Sequence, residues 1–150
     1  MILGIGLSRT GTHSLSDAFS RLRYDSFHWD CTKDLISVDS ELNVTLAEEP
    51  IQFIRPDRSL LTDIPITCSF PLWDEAFPHS KFILTRRDPD QWTHAIQRHL
   101  EWVEKNAPTE LANRLHRILY GEDYSFNALK KKYLEHEEKV RSYFKNRPND

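Results

Sequence analysis

Residues 2–19, ILGIGLSRTGTHSLSDAF, pass from an apolar stretch through a glycine-containing turn into a helical pattern, and that order decides the fold class. Ile2 to Leu7 are apolar except at Gly4 and Gly6, Ser8 to Thr12 form the turn, and Leu15, Ala18, Phe19 and Leu22 recur at helical spacing. A strand entering a helix this way places the helix's unpaired N–H groups and positive dipole end at the strand exit, where an anion is favoured. Arg9 adds a permanent charge on a planar donor fork. The turn has nearly the arrangement of a Walker A loop, but Thr12 stands where that loop carries its Lys, which disfavours ATP or GTP hydrolysis. Taken alone, Gly11 and Thr12 also suit an ordinary turn and cap.

The chain has 150 residues and a formal net charge of -3. That length supports one sizeable core, so the chain is read as a single domain. Its mild acidity argues against a nucleic-acid partner, and no apolar run approaches the roughly eighteen residues of a membrane span. Cys31 and Cys68 have no CxxC spacing and no secretory apolar run is present, which points to a cytoplasmic protein with unlinked thiols. His79, His94, His99, His116 and His136 do not form a metal-ligand pattern, and no metal is expected.

Further along, YDSFHW (residues 24–29) reads as a second short strand entering a site loop, and residues 32–50 as broken helix. RSLLTDIP (58–65) reads as a strand followed by a loop, and FPLWDEAFP (70–78) as a short helix. KFILT (81–85) is a compact strand, and RRDPDQW (86–92) leads from it into a helix. There Asp88 is the N-cap, Pro89 the first helical residue and Gln91 the capping-box partner, with Trp92, Ile96, Leu100 and Val103 on one face. Arg86 and Arg87 therefore sit at a strand exit, the edge where open α/β sheets bind ligands. Leu111 to Leu119 and Phe126 to Phe144 carry two further helical stripes, and KKKYLEHEEK (130–139) reads as a solvated helix surface. NRPND (146–150) resembles a turn introducing another element.

Together, GLSRTGTHSL (6–15) and KFILTRRDPDQW (81–92) resemble the nucleotide-dependent sulfotransferases, in the branch that opens with a GxxRTGTxSL-like loop. TDIP (62–65) and FPLWDEAFPHSKF (70–82) look like the same branch. The resemblance implies a three-layer, P-loop-like α/β fold with a central parallel sheet, and 3'-phosphoadenosine 5'-phosphosulfate (PAPS) as sulfuryl donor with PAP as product. It places Arg9, Thr10, Gly11, Thr12, His13 and Ser14 around the 5'-phosphosulfate, and Arg87 on the 3'-phosphate with Arg86 as its local competitor. Ala95 stands where the family usually has a Ser ligand to that phosphate, and the family normally continues into another strand and a basic loop. The chain is accordingly expected to be C-terminally incomplete.

Two residues compete for the role of base. Asp63 follows LLT at a strand exit and aligns with an acidic site residue of the branch; otherwise it caps the turn before Ile64 and Pro65. His28 carries an imidazole of suitable chemistry in the segment after the second strand; otherwise it is a packed neighbour of Phe27 and Trp29. The leading expectation is sulfuryl transfer to a hydroxyl or amine of a small molecule. The alternatives are a non-enzymatic anion or nucleotide module, dimeric through an uncovered sheet edge, and a P-loop small-metabolite kinase.

Overall fold

The first strand, β1 (Ile2–Gly4), is three residues long, and Ile5 continues its line, donating from N to Ile83 O at 2.9 Å, before the loop begins. In the computed structural model, which describes residues 1–47 and 54–147 with the side chains of Asp30 and Cys31 left aside, the chain divides into two compact units, Met1–Arg86 and Arg87–Asp150.

In the first unit β1 leads through the turn into α1 (Thr12–Arg21), followed by β2 (Asp25–Phe27), α2 (Trp29–Thr32), a 3-10 turn, β3 (Ile36–Val38) and β4 (Val44–Leu46). Then come β5 (Ser59–Thr62), α3 (Ile64–Ala76) and β6 (Lys81–Ile83). Four of these strands form a parallel sheet in the order β2-β5-β1-β6, with Gly4 opposite both Thr62 and Ile83, and Phe27 opposite Leu61. Every residue of β5 is buried, as expected for a central parallel strand covered on both faces. Chain direction from β1 to β2 runs one way across the sheet, and from β5 to β6 it runs back past β1. The exit of β1 is thus the point where the order reverses, the place where such sheets open a ligand crevice.

Two expectations are corrected here. Residues 36–46, expected within broken helix, form the antiparallel pair β3–β4, whose turn is tied by Asp39 Oδ1 accepting from Glu41 N and Asn43 N at 2.9 Å each. The β-branched Ile36, Val38, Val44 and Thr45 suit that ribbon better than a helix. The loop expected after β5 is instead helix from Ile64, with Pro65 at its start, continuous with the expected helix around Trp73. Non-helical backbone at Ser69 and the internal Pro71 kink it.

The apolar stripe of α1 is not its most buried face. Thr12 and Ser16 are buried, whereas Leu22 is 67% exposed. Ser16 Oγ lies 2.8 Å from Ser26 Oγ on β2, so a hydroxyl pair joins helix to sheet there. Cys68 Sγ donates to the Pro65 carbonyl at 3.4 Å, while the Cys31 side chain and residues 148–150, on which two of the sequence expectations fall, lie outside the described residues.

The second unit consists of α4 (Pro89–Asn106), α5 (Glu110–Tyr120) and α6 (Phe126–Tyr143). Asp88 caps α4 as expected, its side chain accepting from Asp90 N and Gln91 N, and Trp92, Ile96, Leu100 and Val103 are buried. Each such side chain contributes about 1.5–3 kcal/mol by leaving water. Trp92 packs against Tyr133 (ring centroids 4.9 Å apart) and Tyr120 (6.0 Å). Lys131 and Lys132 pair with Glu135 on the surface of α6, yet Tyr133, His136 and Glu137 of the same segment are buried, so its solvated face covers only part of it.

Candidate functional site

Three strand exits converge on the loop of residues 6–11. A Cβ on Gly6 would come within 2.0 Å of Thr85 Oγ1 beyond β6 and 2.7 Å of Thr10 Oγ1, so only glycine fits. The Gly6 carbonyl accepts from Thr67 Oγ1 of α3 at 2.8 Å. Thr10 Oγ1 donates to Leu7 O at 2.6 Å, which commits its single proton and leaves Thr85 as the donor in their 2.7 Å contact. Gly11 then turns the chain at φ 109 into α1, with open space where a Cβ would lie.

No side chain caps the start of α1, and its first turn carries no acidic residue. Its leading N–H groups have no intrahelical acceptor, and exposed Arg9, at φ 70, lies just before them in the loop. An anionic group fits such a cradle on both charge and available donors. His13 and Ser14 are exposed on the first turn, and His13 Nδ1 pairs with Asp17 Oδ2 at 3.2 Å.

The two competing base candidates prove to be neighbours. His28 follows the last residue of β2 and Asp63 follows the last residue of β5, and these strands are adjacent, so parallel register brings both exits to one edge. His28 Nδ1 lies 3.5 Å from Asp63 Oδ2, and Ser8 Oγ donates to Asp63 Oδ1 at 3.1 Å. At its other end His28 Nε2 is 3.3 Å from Thr12 Oγ1. A carboxylate facing Nδ1 favours the tautomer with the proton there, so Nε2 is the acceptor and Thr12 the donor.

Asp63 does not use its carboxylate as a helix cap. Its backbone carbonyl accepts from Ile66 N and Thr67 N at 3.0 Å each, while the side chain, 9% exposed, turns to Ser8 and His28. It holds φ at 88, a left-handed conformation that costs a non-glycine residue on the order of 1–3 kcal/mol. The left-handed backbone thus holds a buried carboxylate against an imidazole.

Arg86 and Arg87 fall on either side of the division between the units, and both are exposed. Within the second unit the Arg87 backbone is held at both ends by one phenol: Arg87 N donates to Tyr133 Oη at 3.0 Å, and Tyr133 donates to Arg87 O at 2.6 Å. Ala95, on α4, is buried.

Ser8, Thr67 and Thr85 had no individual site role in the sequence reading. Ser8 lies inside the GLSRTG loop and Thr85 ends KFILT, so proximity to the motifs was their signal; Thr67 becomes visible only once α3 is seen to begin at Ile64. No helix among the described residues is long and apolar enough to cross a membrane. No curated protein matches the chain. The family model described as Sulfotransferase domain matches residues 1–149.

Proposed function

The chain belongs to the sulfotransferase domain family, and from that membership we propose that it transfers a sulfuryl group from PAPS to a hydroxyl or amine of a small molecule. The observation that carries this reading is the Asp63–His28 pair beside an uncapped helix N-terminus: an acid–base group and an anion cradle at one sheet edge. PAPS supplies the electrophilic sulfur and, in PAP, the leaving group.

The residues divide the work as their positions suggest. Arg9 and the N–H groups at the start of α1 bind the phosphosulfate and stabilise negative charge as the bond from sulfur to the departing phosphate oxygen breaks. His28 Nε2 accepts the acceptor's proton as the new oxygen–sulfur or nitrogen–sulfur bond forms, and Asp63 stabilises the imidazolium through Nδ1–H. Ser8 and the backbone of α3 hold Asp63 in place. Arg87, with Arg86 as the competing choice, reads the 3'-phosphate. The reading is of a cytoplasmic protein whose partner is a small-molecule acceptor and not nucleic acid or a membrane; homodimerisation through an uncovered sheet edge belongs to the binding-module alternative.

Calorimetric titration with PAP, with ATP and sulfate as competitors, tests the donor site. Saturable PAP binding that weakens at least tenfold in Arg9→Ala, with the fold intact by circular dichroism, is expected from loss of a charge-assisted contact. Magnesium-dependent ATP binding without any response to PAP would instead favour a kinase. PAP binding without transfer across a broad acceptor panel would favour a binding module.

A further inference from the structure

The hydroxyl of Thr12 has two claims on one proton. It is the first helical residue of α1, where a phosphosulfate bound at the helix N-terminus would take a hydrogen bond from it, and it already lies 3.3 Å from His28 Nε2. A threonine hydroxyl donates once, so the two bonds exclude each other. Thr12 is buried, so its hydroxyl is shielded from bulk water as an alternative partner. At the other end of the pair, Ser8 of the same loop donates to Asp63.

We infer that Thr12 is a positioning residue through which the donor loop controls the base: when its hydroxyl turns to the donor's oxygens, His28 Nε2 is released to accept the acceptor's proton. This rests on the reading of the loop as a PAPS site. The consequence is a coupling between donor binding and base availability, set by one shared proton, and such coupling is reciprocal. A donor arriving at the loop must break the Thr12–His28 contact; removing the imidazole nitrogen should therefore improve binding at the loop while abolishing transfer. A purely structural role for His28 predicts the opposite, since a damaged site binds more weakly.

The test is a double-mutant cycle on PAP affinity by calorimetry at pH 8, above the ordinary imidazole range, with each variant's fold checked by its melting transition. His28→Phe is expected to bind PAP about fivefold tighter than the parent chain, and Thr12→Val to bind more weakly. In the Thr12→Val background, His28→Phe should bring no gain, and Thr12→Ser should behave as the parent chain. Equal or weaker binding in a folded His28→Phe, or the same gain with and without Thr12, overturns the inference. A parent chain that does not bind PAP overturns the reading of the loop itself, a different result from PAP binding without the coupling. Should His28→Phe fail to fold, nitrogen NMR of the His28 ring in the parent chain decides: a PAP-dependent displacement of Nε2 that is absent from Thr12→Val supports the inference, and an unmoved Nε2 defeats it.

Discussion

In the first unit the residues at the strand exits are buried, polar and bent; in the second, the core is aromatic and aliphatic on regular helices. Among the described residues, every non-glycine position with positive φ (Arg9, Arg23, Leu42, Asp63 and His79) lies in the first unit. Ser8, Thr12 and Asp63 are buried there in mutual or shared contacts, whereas Trp92, Tyr120 and Tyr133 fill the second unit with ring on ring. Strained backbone and buried polar groups each cost stability, and at Arg9 and Asp63 the strain falls at strand exits. The described backbone of the second unit has no such non-glycine strain, and its helices follow propensity, capping and periodicity, although His116, His136 and Glu137 are buried among them.

Asp63→Asn should break the first side of the contrast most severely. It preserves shape but removes the charge facing Nδ1, and sulfuryl transfer should fall about 10²–10⁴-fold while the melting temperature stays near that of the parent chain. Transfer retained within tenfold would mean that the strain at Asp63 serves packing. On the other side, Trp92→Ala should cost about 3–5 kcal/mol in urea unfolding, because a ring shared by three elements has no way to collapse. A loss under about 1 kcal/mol would remove the case for an aromatic core.

His116 sharpens the contrast, being a titratable group inside the unit otherwise governed by packing. It lines a cavity of about 410 Å³ with Leu100, Val103 and Asn113, and burial, reinforced by His99, lowers its pKa from 6.5 to about 4. Below about pH 6.5 the unfolded chain takes up a proton that the folded chain refuses until about pH 4. Stability is therefore complete above that window and lost as pH falls through it, by about 3 kcal/mol at the bottom. Urea midpoints across the window should show this slope in the parent chain and a flatter one in His116→Leu. The smallest effect is at Asp88, whose carboxylate caps α4; Asp88→Ala should cost about 1 kcal/mol in the same measurement.

These two regions also differ in how openly the sequence declares them. The cap at Asp88 and the buried stripe from Trp92 to Val103 follow from local spacing, which is why α4 could be read residue by residue. The loop after β1 was equally legible because glycine, arginine and hydroxyls stand together. The pairing of His28 with Asp63 was hidden: thirty-five positions separate them in the chain (63 minus 28), and only the β2–β5 adjacency makes them neighbours. The β3–β4 ribbon was missed because three-residue strands are too short for alternation to outweigh helical charge spacing. For α1, hydrophobicity pointed to Leu22, yet tertiary hydrogen bonding through Ser16 selected the adjacent face.

Gly6 and Gly11 bracket the loop but restrict it by different means. At Gly6 the obstacle is volume: Thr85 and Thr10 occupy the space of any side chain, so no replacement is neutral unless a second site shrinks with it. At Gly11 the obstacle is torsion alone: the space is open, but φ 109 strains any L side chain. A second-site change can therefore open the strand end of the loop, whereas at the helix end only a shift of the backbone itself would admit a side chain.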